Sequence, residues 1–187
     1  LVILLFVLLF AAIWNAGKYQ NVPHIKELSK KFSETKVEEY NQIDVEKLLG
    51  DKGYVQILDD KHHVIYSNSK KHAKEKYTDY ELSYVSEYNN FAMVTIEKYK
   101  NDDGTTDRVV SSVIYTATGK EVKNVMYVVD EGLNILYSTE HQDKKKLTRR
   151  EYDLLTRNAT SKYVLSKCNF KDDEGNKRTL LAFSPKT

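Results

Sequence analysis

The chain has 187 residues, 41% hydrophobic and 30% charged, with a formal net charge of +2. That composition supports a packed core and excludes a wholly disordered chain. The near-neutral balance gives no electrostatic case for nucleic acid, and the one cysteine, Cys168, excludes an internal disulfide and a multi-thiolate metal site.

Residues 1–14 are an unbroken apolar run, LVILLFVLLFAAIW. A bilayer core takes about 20 apolar residues as a helix. The run opens without Met and already inside its apolar stretch, so residues 1–17 are expected to be a truncated transmembrane helix, with Trp14 at the interface and Lys18 at the polar boundary. A signal-peptide core with Ala16 and Gly17 near its cleavage site is the competing reading. Either way the rest of the chain is expected on the extracytoplasmic side of a membrane. The lack of paired cysteines there suits a bacterial surface. In that setting Asn158-Ala159-Thr160 carries no weight as a glycosylation acceptor.

Residues 18–50 read as a helical stalk. Pro23 sits in a first turn, and Ile25, Leu28 and Phe32 make an apolar stripe that Val37 and Tyr40 extend less cleanly. Asp44 can cap a short helix over residues 45–49, which Gly50 ends.

The chain then repeats itself. Asp59-Asp60-Lys61-His62-His63-Val64-Ile65-Tyr66-Ser67 returns as Asp130-Glu131-Gly132-Leu133-Asn134-Ile135-Leu136-Tyr137-Ser138. Thr78-Asp79-Tyr80-Glu81 is matched by Thr148-Arg149-Arg150-Glu151, and Asp102-Asp103-Gly104 by Asp172-Asp173-Glu174-Gly175, at an offset of about 70 residues. In the first copy, residues 54–58 and 63–67 form a hairpin. Thr78 and Glu81 begin a helix as a capping box, and residues 91–99 and 108–116 form a second hairpin. The second copy runs through residues 125–129, 134–138, a Thr148/Glu151 capping box, 163–170 and 179–183. A fifth strand has room over residues 120–125. The order predicts an α+β fold, each copy an antiparallel sheet with helices on one face. Its boundaries are residues 51–119 for the first unit and 120–187 for the second.

These residues resemble a known family. The segment from Tyr54-Val55-Gln56-Ile57-Leu58-Asp59 to Val64-Ile65-Tyr66-Ser67-Asn68, followed by Tyr77-Thr78 and Glu81-Leu82, is similar to the extracytoplasmic sensor region of Gram-positive membrane sensor histidine kinases. So is the segment from Asn124 to Asp130 with Leu133 to Ser138. The resemblance implies tandem PAS-like units of the Cache kind after a membrane helix. It implies a homodimer in the cell membrane, an envelope or small-molecule ligand, and a cytoplasmic response regulator reached through a kinase part. No kinase core is present in these residues: His24, His62, His63, His72 and His141 all lack the setting of a phosphorylated dimerisation helix.

No catalytic constellation, cofactor motif or metal motif stands out. His62 and His63 are adjacent, so a strand points them to opposite faces. Asp59-Asp60 and Asp102-Asp103 sit at turns, where Asp bonds the local backbone. Lys144-Lys145-Lys146 reads as a solvated loop, with contact to anionic envelope polymers or lipid headgroups as the alternative. Tyr66 and Tyr137, each ending the second strand of its copy, are the candidate ligand-binding residues, since such positions can line a pocket between sheet and helix. An anchored or secreted binding module without kinase output is the alternative function.

Overall fold

A computed structural model of the chain describes residues 24–72, 76–140 and 143–186, together with Ile3, Leu4 and Val7. The membrane helix expected over residues 1–17 lies, those three residues apart, outside the described residues, as do Val22 and Pro23. Among the described residues no helix is long and apolar enough to cross a membrane.

The protein is α+β, with two antiparallel four-stranded sheets and few helices. In chain order the elements are α1 (Ile25–Glu34), a 3-10 turn (Val37–Gln42), α2 (Val45–Leu49), β1 (Tyr54–Leu58), β2 (Val64–Ser67) and α3 (Asp79–Ser83). There follow β3 (Asn90–Lys100), β4 (Thr106–Thr116), β5 (Glu121–Val129), β6 (Ile135–Ser138), α4 (Arg149–Thr160), β7 (Tyr163–Lys171) and β8 (Lys177–Pro185).

Local chemistry places these elements where the sequence puts them. The stripe of α1 buries Ile25, Leu28 and Phe32 completely, and the helix ends at Glu34, before the 3-10 turn takes over. Asp44 accepts the Lys47 amide at 3.1 Å and caps α2, which stops at Gly50 with φ 96°. Thr78 and Glu81 form both bonds of their capping box. Thr148 caps α4 in the same way, but the Glu151 carboxylate turns to Lys144 Nζ, at 2.9 Å.

The repeat is visible atom by atom in the turns. Asp59 Oδ1 accepts the amides of Lys61 at 3.0 Å and His63 at 2.8 Å; Asp130 Oδ1 accepts those of Gly132 at 3.0 Å and Asn134 at 2.8 Å. His62 and Leu133 hold the same positive φ, 66° and 65°. Both hairpins then slip register at the same place, between Ile57 and Leu58 and between Val128 and Val129. The longer hairpins turn at Gly104 and Gly175, with φ 86° and 84°, values that favour glycine because other side chains are strained there.

The pairing of these hairpins differs from the order the repeat suggests. The sheets run β2-β1-β8-β7 and β3-β4-β5-β6. Each sheet therefore takes one hairpin from each copy. The chain divides into one body of residues 24–88 and 162–186 and another of residues 89–161. The boundary expected between residues 119 and 120 falls in the β4–β5 turn, inside one sheet. Residues 120–125, expected as a fifth strand of the first copy, and residues 125–129, expected as the first strand of the second, are one continuous strand, β5. The reason is geometric: β4 and β5 are joined by a short turn closed by Gly119 and Lys120, with Gly119 N donating to Thr116 O at 2.9 Å, so they pair as neighbours.

The discontinuous body has its core between the sheet and the helices before β1. Val55, Ile57, Val164, Cys168, Leu180 and Ala182 pack against Ile25, Leu28, Phe32, Tyr40, Val45 and Leu49. In the contiguous body, α4 packs on β3 and β4. The buried sheet face there carries Ala92, Val110, Ile114, Val125, Tyr127 and Val129.

Because each sheet needs strands of both copies, residues 24–119 alone and residues 120–187 alone are each expected to lack a cooperative melt. Mixing the two fragments is expected to restore β-sheet circular dichroism and a single transition. Cooperative unfolding of either fragment by itself would contradict the exchanged pairing.

Candidate functional site

The two candidate tyrosines occupy equivalent places and unlike surroundings. Tyr66 pairs with Ile57 across β1–β2, and Tyr137 pairs with Val128 across β5–β6. Tyr66 is half-buried in an aromatic cluster, its ring 5.9 Å from Phe32 and 5.5 Å from Tyr40, which themselves meet edge-on at 4.8 Å. Burial raises its phenol above the usual range. Tyr137 is 54% exposed, beside Leu136 at 56%. Phe32 and Tyr40 come from the segment before β1. The segment before β5 is β4, a strand rather than a helix.

Beside the aromatic cluster lies a buried ion pair. Asp172, at the start of the β7–β8 turn, has a side chain 1% exposed, and the guanidinium of Arg178 reaches its Oδ2 through Nε and Nη2, both at 3.1 Å. Asn176 N and Glu174 N donate to Asp172 Oδ1 at 2.8 Å and 3.0 Å. Burial pushes this carboxyl up, but the Asn176 and Glu174 bonds and the Arg178 charge together hold it below the usual carboxylate range. Tyr40 is fully buried, and its hydroxyl has no hydrogen-bond partner among the described residues. Burial first, then the Asp172 charge, raises its pKa.

An open cleft of about 500 Å³ lies at this end of the body, between the β1–β2 turn and the β7–β8 hairpin. Asp59, Asp60 and His62 line one side, and Phe170, Lys171 and Lys177 the other. Lys171 and Lys177 face each other directly across the two strands, both exposed. Like charges placed so are mutually repulsive, and neither lysine holds an ion pair among the described residues. The cleft sets Phe170 and the two ammonium groups opposite the Asp59 and Asp60 carboxylates, a surface that offers charges of both signs and an apolar contact to a ligand. A second groove of about 430 Å³ runs between α1 and α2, lined by Glu27, Lys31, Glu34, Asp44 and Lys47.

The remaining candidates resolve into structural roles. His62 faces Asp79 at 3.2 Å and His63 faces Asp59 at 3.5 Å, so the two imidazoles share no partner. Among the described residues no three His, Cys, Asp or Glu side chains gather as a metal site. Asp103 accepts the Thr105 amide at 2.9 Å as a turn residue. Lys144, expected in a solvated loop, is largely buried against Glu151. Cys168 is buried and its thiol pKa is raised by burial, which leaves it unreactive. The lysine pair, the Asp172–Arg178 pair and the Tyr40 hydroxyl were not among the residues singled out from the sequence. The signal for the first was present: Lys171 and Lys177 flank the Asp172 turn symmetrically, and pair as soon as the hairpin is drawn.

Compared with known protein families and with curated proteins, the chain matches none.

Three outcomes test this geometry. Lys177→Glu replaces a repulsive cross-strand pair with an attractive one and is expected to stabilise the fold by up to about 1 kcal/mol, read as a rise in Tm. Arg178→Ala leaves the buried Asp172 carboxylate without its counter-charge and is expected to cost about 3 kcal/mol. In the intact chain Asp172 titrates lower folded than unfolded. Its stabilisation is therefore complete above the unfolded pKa of about 4, and is lost as the pH falls through that value toward the lower folded one. Acid melts of the intact chain are expected to steepen in that window, and those of Asp172→Asn to steepen less.

Proposed function

We propose that this chain acts by recognition, as an extracytoplasmic module tethered at the membrane by its apolar N-terminus. Its particular form is the signal-sensing region of a two-component sensor histidine kinase. The observation that carries the recognition reading is the cleft at the β1–β2 and β7–β8 turns, where two lysines are held opposite each other without an ion pair among the described residues. The resemblance of the two V-I-Y-S-type hairpins to Gram-positive sensor regions supports the kinase form. On that reading the chain is a tandem PAS-like pair in a homodimer, which relays an envelope or small-molecule signal through the membrane helix to a cytoplasmic response regulator.

The physical requirement on such a device is a ligand that favours one of two arrangements, since a ligand indifferent to both shifts nothing. The cleft meets the turn of the β7–β8 hairpin, and Tyr66 and Tyr40 lie against α1, the helix nearest the N-terminal segment. A small displacement of α1 is the natural output. A binding module with no kinase attached uses the same cleft and no relay.

The test joins this chain, through its own apolar segment, to a cytoplasmic histidine-kinase core in a bacterial membrane. Phosphotransfer to the cognate response regulator is then measured. Tyr66→Ala and Lys177→Glu are each expected to change the phosphorylated fraction at least threefold. Output indifferent to both substitutions, in a chimera that phosphorylates normally, rejects the kinase form and leaves the binding module.

A further inference from the structure

We infer that the outer edge of β3 accepts an extended segment of a partner protein, uncharged along most of its length and acidic at its C-terminal end, which runs parallel to β3.

The two bodies finish the corresponding edge differently. In the discontinuous body the outer strand is β7, and residues 86–88 lie along it: Lys167 N donates to Ser86 O at 3.0 Å, and Tyr88 N donates to Lys167 O at 2.8 Å. Glu87 bridges Lys167 in the parallel sense. In the contiguous body the outer strand is β3, and Ile96 is the counterpart of Lys167. Ile96 pairs with Val110 as Lys167 pairs with Leu181, each partner being the same number of residues after its hairpin glycine. Lys167 therefore points its N–H and C=O outward, and so do Ile96 and its alternate neighbours Val94 and Lys98. Among the described residues nothing on that side pairs with β3.

At Ala92 the carbonyl accepts from Asn158 Nδ2 of α4 at 3.5 Å; from Val94 onward the edge is bare among the described residues, because of helix length. Helix α3 stops after five residues, which frees residues 86–88 to extend along β7. Helix α4 continues for twelve, so the residues that correspond to 86–88 remain coiled in it.

Sheet edges are usually blunted by charge, most often lysine. The counterpart strand carries Lys167 at the paired position. Residues 91–96 of β3, Phe91-Ala92-Met93-Val94-Thr95-Ile96, carry no charge at all, whereas Lys98 and Lys100 follow on the face opposite Glu97, both exposed and without an ion pair among the described residues. An occupant aligned as residues 86–88 are on β7 meets uncharged backbone first and then the two ammonium groups. Charge complementarity therefore selects acidic residues at its C-terminal end. Strand addition of this kind takes its affinity from main-chain bonds and its selectivity from alternate side chains.

The inference rests on the recognition reading only in assigning the chain a partner, and it uses a different surface from the cleft. The probe is a synthetic peptide, acetyl-Thr-Val-Thr-Val-Thr-Glu-Glu-amide, with the same sequence ending in two lysines as control, each titrated against the whole chain. Amide exchange at Val94, Ile96 and Lys98 is expected to slow at least tenfold with the acidic peptide and not with the basic one. Ile96→Pro, which removes an outward donor that edge strands can lack, is expected to weaken binding at least tenfold. Lys98→Glu combined with Lys100→Glu, which reverses the charge beside the acidic end, is expected to invert the preference between the two peptides if the proline variant unfolds. Absence of protection in the intact chain, or equal binding to both peptides, overturns the inference while the phosphotransfer test of the cleft stands apart. Concentration-dependent pairing of two copies through β3, lost in Ile96→Lys, overturns it in favour of a self-complementary edge.

Discussion

Strand β1 hydrogen-bonds to β2 on one side and to β8 on the other, and β5 lies between β6 and β4. These two central pairings join the copies, and the rest of the structure depends on them. Along β1–β8, Tyr54 meets Phe183 and Leu58 meets Thr179, with Tyr54 and Phe183 stacked at 4.2 Å. Val55, Ile57, Leu180 and Ala182 then present one continuous apolar surface on which α1 can lie. Without β8, the β1–β2 hairpin is a two-stranded ribbon, which is marginal in water.

Once the hairpins are exchanged, the two bodies have the same strand skeleton but different covering. The segment before β1 is helical and closes the face that holds Tyr66. The equivalent face of the other body carries Met126, Val128 and Tyr137, half-buried or exposed. At the β7 and β3 edges the contrast comes from the helix that follows each short hairpin, five residues long in one case and twelve in the other. Duplicated sequence thus yields one body with its face and edge occupied and one with more of both left available.

The parts of the fold written in local chemistry were legible in the sequence. The Asp59 and Asp130 turns, the Asp44 cap and the Thr78 box each depend on residues within four positions of one another, so their spacing alone predicts them. The partner of a strand is a different matter. Nothing in Tyr54-Val55-Gln56-Ile57-Leu58 says whether its second neighbour is the hairpin of its own copy or of the other, since both offer alternating apolar strands of suitable length. The same ambiguity split β5 into two expected strands at Val125. Tyr66 and Tyr137 look alike in sequence because their local motifs match, and they differ only through Phe32 and Tyr40, which lie far upstream. The Asp172–Arg178 pair was hidden for a similar reason: a D-D-E-G-N-K-R turn reads as solvent-exposed until α1 and the 3-10 turn are laid over it.

The position of β8 at the end of the described chain has a temporal consequence. Residues 89–161 form their body from neighbouring hairpins and the helix that follows them, contacts that close quickly because little chain must be ordered between them. The other body cannot be completed until residues 177–185 have been made, and β1 must wait, its inner edge bare, through the synthesis of everything in between. Its assembly is therefore the slow step, and the interval is when this protein is most open to wrong partners. Anything that holds β1 apart in that interval, whether a chaperone or the early collapse of α1 onto the half-built sheet, decides how much of the chain reaches its native form.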